Sequence, residues 1–127
     1  MCLTQRIRLF TACVIAAILF ASMLMPPNVA APPTVQTPLV GLDKWFHVIG
    51  YTALAFALSS ALEPVNRQRL LQTWSSTSVY GAVLEFLQRG LPYRVFSLGD
   101  IAANATGAAM GICVWHVVVV FRRYRST

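Results

Sequence analysis

The chain has 127 residues, of which 57% are hydrophobic and only 11% charged, and it carries a formal charge of +6. Ordinary soluble domains hold about 25% charged residues, so a composition with mean hydropathy +0.62 excludes a conventional soluble enzyme and leaves a single membrane domain over residues 1–127. The basic residues stand at the ends of apolar runs, with no basic stripe interleaved with aromatics, which excludes nucleic acid as a partner and leaves membrane lipid.

Four apolar segments follow one another, at about residues 9–25, 44–62, 70–88 and 101–121. Each approaches the ~20 residues needed to cross ~30 Å of hydrocarbon. None alternates like a barrel strand, and a backbone without water partners must bond within itself, so all four are expected to be helices.

The first segment follows Arg6 and Arg8 and has the outline of a signal peptide. Its cleavage sites are poor, because Pro32 follows Ala31 and Asn28 stands three positions before a cut after Ala30. A retained anchor is therefore expected. From Pro26 to Leu42 the chain has five prolines and no charge, an irregular or polyproline-like connector. Pro64 stops the second segment, and Gly90, Pro92 and Gly99 punctuate the stretch between the third and fourth.

The third segment is the most polar, with Gln72 and the run Ser75 to Ser78. It reads as a helix sheltered by its neighbours, its hydroxyls bonded to backbone or across an interface, with a re-entrant segment as the alternative. The three cysteines have no metal-type spacing, and Cys13 and Cys113 are expected to be small buried thiols within apolar runs.

Arginine and lysine set the orientation. With four spans, the N-terminus, second connector and C-terminus share one side, which holds seven basic residues, while the other side holds Lys44, Arg89 and Arg94. The richer side is expected to be cytoplasmic. The expectation is an all-α membrane protein, a four-transmembrane-helix bundle with N- and C-termini cytoplasmic, in the plasma membrane.

Helical spacing then gathers the polar side chains. Asp43, His47, Gly50 and Tyr51 form one stripe on the second helix, and Ser78, Gly81, Glu85 and Gln88 form one on the third. Asp100 and Asn104 stand one turn apart on the fourth, beside a small-residue stripe of Ala103, Gly107 and Gly111 suited to close helix packing. All three polar stripes reach the same, external end of their helices.

These residues resemble the VanZ-like family, named for a protein associated with low-level teicoplanin resistance. The resemblance is carried by Asp43-Lys44-x-x-His47-x-x-x-Tyr51, then Glu85-x-x-Gln88, then Arg94-x-Phe96-Ser97-x-x-Asp100-Ile101-x-x-Asn104-x-x-Gly107-x-x-x-Gly111, over about residues 40–115. Tyr93 stands where a glycine is expected before Arg94. Membership implies a small integral membrane protein of the cell envelope, with a possible link to glycopeptide resistance, and implies no settled chemistry.

The candidate pocket is Asp43, Lys44, His47, Tyr51, Glu85, Gln88, Arg94, Ser97, Asp100 and Asn104, with Gly107 and Gly111 as packing residues. Asp43 and Asp100 each stand just before a segment and could instead be helix caps, and Ser97 with Asp100 fits a capping box. A carboxylate such as Glu85 inside a span is costly unless paired or used. The spacing matches no metal motif, so no metal and no other cofactor is expected. His116 lies about 24 Å along the fourth helix from Asp100, too far to join. The expected function is binding of a lipid-linked or cell-wall-related ligand, or a partner. The alternative is a membrane enzyme acting on a lipid headgroup or cell-wall precursor, with His47 or Glu85 as general base and Arg94 steadying charge. A transporter is disfavoured, since no charge falls at the membrane centre.

Overall fold

The computed structural model describes residues 3–24, 40–63, 66–92 and 96–125, with side chains from residue 44 onward in the second of these stretches. Arg94, the side chain of Asp43 and residues 26–39 of the proline-rich connector lie outside the described residues, while residues 40–42, expected as the end of that irregular connector, are already helical. The described secondary structure is four helices: α1 (Leu3–Leu24), α2 (Val40–Leu62), α3 (Arg67–Gln88) and α4 (Leu98–Arg125). Each outruns its apolar segment because hydropathy marks where hydrocarbon begins, whereas the hydrogen-bonded helix continues until something breaks it. In α4 no glycine or proline follows Gly111, so the helix runs on through the terminal arginines.

Among the described residues, three helices are long and apolar enough to cross a membrane: α1, α2 from Lys44 to Leu62, and α4. In α3, the buried Thr73 and Thr77 return their hydroxyls to the carbonyls of Arg69 and Thr73, at 3.0 and 2.9 Å. Ser75 and Ser76 are exposed. Asn66 caps the start of α3, its side-chain oxygen accepting the Arg69 N–H at 2.9 Å.

Lipid tails are as apolar as leucine, so membrane helices associate through close packing and polar contacts rather than hydrophobic burial. The α2–α4 pair is the most extensive interface and follows that rule. The two helices run parallel, and α2 carbonyls approach α4 so closely that a Cβ on Gly107 would stand 2.4 Å from the Val48 oxygen. A Cβ on Gly111 would stand 2.3 Å from the Thr52 oxygen. Thr52 adds glue, its hydroxyl lying 2.7 Å from the Val48 carbonyl and 3.1 Å from that of Gly107.

α1 packs antiparallel on α2, with Leu19 against Gly50. At the opposite end Arg8 donates to the Ser60 carbonyl at 2.8 Å and to the Glu63 carboxylate, while Gln5 donates to Ala61 O at 3.3 Å. These side chains satisfy the last carbonyls of α2, which have no partner within the helix. Glu63 itself has φ 46, a left-handed residue at the end of the helix where glycine is usual. From α3, the Tyr80 hydroxyl reaches the Ala16 carbonyl of α1 at 2.6 Å.

The outer surface is apolar, with Phe10, Phe46, Val79, Phe86, Val117 and Phe121 all exposed. Cys13 and Cys113 are also exposed, which corrects the expectation of buried thiols. An apolar run in a small bundle faces lipid as readily as protein, so hydrophobicity does not distinguish the two surroundings.

Candidate functional site

At the N-terminal ends of α2 and α4 and the C-terminal end of α3, polar side chains from three helices meet. His47 stands at the centre. Its Nδ1 lies 2.9 Å from Asn104 Oδ1 on α4, and its Nε2 lies 4.0 Å from Glu85 Oε1 on α3. A side-chain carbonyl oxygen only accepts, so with Asn104 Oδ1 toward the ring Nδ1 is the donor, and Nε2 faces Glu85.

Glu85 is 1% exposed and Asn104 0%. The second oxygen of Glu85 accepts the Ser97 backbone N–H at 3.4 Å. Ser97 in turn begins α4: its hydroxyl accepts the Asp100 N–H at 3.3 Å, the geometry of an N-cap. This corrects the capping expectation for Asp100. That residue stands in the first turn of α4, and its carboxylate takes the Lys44 ammonium at 2.9 Å. Asp43 likewise falls inside α2 rather than before it.

Tyr51 lies one turn below His47, 2% exposed, its ring nearly parallel to the imidazole at 8° with centroids 6.4 Å apart. Gly81 makes room for this layer. A Cβ there would meet Asn104 Nδ2 at 2.7 Å and Tyr51 Cε1 at 2.8 Å. Asn104 Nδ2 has no hydrogen-bond partner among the described residues. Gln88, also buried, is on the same side of α3 as Glu85. The structure thus brings together Lys44, His47, Tyr51, Glu85, Ser97, Asp100 and Asn104. His116 stands apart toward the other end of α4.

His47, Glu85 and Asp100 offer ligand atoms within 4.8 Å of one another and could hold a divalent cation. The Lys44 ammonium on Asp100 already supplies positive charge there and works against one.

His47, Glu85, Gln88 and Tyr51 also line a cleft of about 320 Å³ whose remaining wall is apolar but for Ser22 of α1. That wall is Ile18, Leu19 and Met23 of α1, with Phe46 and Leu84. Sequence reasoning missed the α1 residues. Apart from Ser22 this part of α1 carries no polar side chain that would mark it as facing the site. The available signal was Gly50, a small residue on the His47 stripe that admits Leu19.

In a comparison against protein-family models, the VanZ/LLP1 model matches residues 7–121. The chain belongs to the VanZ/LLP1 family. The VanZ/LLP1 match takes in α2, α3, most of α1 and α4 as far as Phe121, so the cleft lies wholly within the matched region. No curated protein and no solved structure matches the chain.

Proposed function

We propose that this VanZ/LLP1 member is a four-span plasma-membrane protein, both termini cytoplasmic, that binds an amphipathic envelope ligand. Its polar part sits on His47, Glu85 and Gln88, and its apolar part lies along α1. The observation that carries the reading is the cleft itself: polar side chains on one wall, aliphatic and aromatic ones on the other, opening between helices. A lipid-linked cell-wall precursor has that division of polarity. The family name adds teicoplanin resistance as a second readout.

The test is native mass spectrometry of the purified protein with a short-chain lipid-linked disaccharide, alongside teicoplanin susceptibility of cells expressing it. Glu85→Gln and His47→Ala should lose the bound precursor while the protein still inserts. Equal precursor binding by both variants would reject the cleft as its site.

A catalytic reading draws on one feature, the Asn104–His47–Glu85 relay, in which an amide orients an imidazole beside a carboxylate. Turnover of the precursor by the purified protein, lost in His47→Ala, would favour it over binding alone.

A further inference from the structure

A second cleft, about 470 Å³, lies at the far end of the molecule, where the start of α1 meets the C-terminal ends of α2 and α4. Its rim is basic, with Arg8, Arg122 and Arg123, and His116 stands deeper in. Its inner wall is apolar: Phe56 from α2, Trp115 and Val118 to Val120 from α4. Trp115 is buried, seven positions before Arg122, or roughly 10 Å deeper along the helix. Glu63 and Arg8 offset one another, so the net positive charge of the cleft is that of Arg122 and Arg123.

Two ordinary duties of these arginines do not account for the cleft. Cations at a helix C-terminus offset the partial negative charge of its last carbonyls, and Arg8 does this for α2 through Ser60. Basic residues at span ends also favour the cytoplasmic face without forming any site. Neither duty calls for a concave cleft with a buried indole on its inner wall, or for arginines contributed by two separate helices. The order of chemistry from rim to floor, cationic and then apolar, is that of a phospholipid standing in its leaflet, phosphate outward and chains inward. A protein segment would have to cross the headgroup layer to reach the same floor.

We propose that this cleft binds one anionic phospholipid, its phosphate among Arg8, Arg122 and Arg123 and an acyl chain against Phe56, Trp115 and Val119. Native mass spectrometry of the full-length protein, released from nanodiscs of equimolar phosphatidylcholine and phosphatidylglycerol, reads the bound lipid directly. The wild type should retain phosphatidylglycerol in preference. Removing two cleft charges with Arg122→Gln and Arg123→Gln should lower that retention about tenfold. Removing two charges elsewhere at the same end, with Arg6→Gln and Arg67→Gln, should leave it near the wild-type level; both residues are exposed and outside the cleft. Val119→Trp, which fills the floor and spares every charge, should displace the lipid as well. Equal losses in the two charge variants would mean diffuse attraction and overturn the site. So would retention in Val119→Trp, or equal retention of the two lipids by the wild type. A chain that leaves the nanodisc as a lipid-free dimer, its cleft covered by a second copy, would also overturn it.

Discussion

The backbone N–H of Ser97 donates to Glu85 Oε2 across 3.4 Å, so the first turn of α4 is completed by an acid from α3. In a capping box that N–H goes to the side chain three residues later, which here is Asp100. Asp100 instead reaches across to Lys44 on α2. Passing the reciprocal role to Glu85 and freeing Asp100 for α2 joins three helices through the start of one.

The arrangement predicts unequal losses within the Lys44–Asp100 pair. The Asp100 side chain is 9% exposed and the Lys44 side chain 45%. Lys44→Met leaves a buried carboxylate facing less positive charge, whereas Asp100→Asn leaves a lysine able to turn to water. Removing the lysine should therefore cost more stability than neutralising the acid. Unfolding in mixed micelles measures the order, and the reverse order would contradict the pairing.

His47 and Asn104 should be energetically coupled. His47→Ala leaves Asn104 Oδ1 buried without its donor, a cost of about 1–3 kcal/mol. In a double-mutant cycle with Asn104→Ala the coupling should be about 0.5–1.5 kcal/mol. Additive losses would show that the contact contributes nothing.

The α2–α4 interface should not tolerate a methyl group. Gly107→Ala and Gly111→Ala would each put a Cβ within 2.4 Å of an α2 carbonyl oxygen, which a rigid backbone cannot avoid. Each should destabilise by about 1–3 kcal/mol. Gly90→Ala is the control, because its Cβ would meet nothing nearer than 3.4 Å and should be nearly neutral.

Topology can be read with reporters fused after Thr127 and within the loop at Pro92. The arginine balance expects the first in the cytoplasm and the second outside. A cytoplasmic loop reporter together with an external one after Thr127 would invert the bundle and place the polar cleft on the cytoplasmic face.

Much of this was legible before any coordinates, for a physical reason. Helical period and a nonpolar solvent leave few choices, so His47, Glu85 and Asn104 could be assigned to three faces that meet. What stayed hidden depends on neighbours rather than on period. Nothing in Ile18, Leu19 or Met23 distinguishes a side chain facing the cleft from one facing lipid. The exposure of Cys13 and Cys113 was hidden for the same reason. The transfer of the Ser97 N–H to Glu85 was invisible because the usual recipient, Asp100, stands at the expected spacing.

Glu63 puts two requirements in conflict at one corner. Its left-handed backbone costs of order 1–3 kcal/mol, which glycine would not incur, yet its carboxylate moors α1 through Arg8. Glu63→Gly should therefore ease the chain reversal and at the same time loosen the helix that walls the His47 cleft. Thermal tolerance and the hold on α1 would then move in opposite directions, so a sturdier variant would keep α1 less firmly against α2.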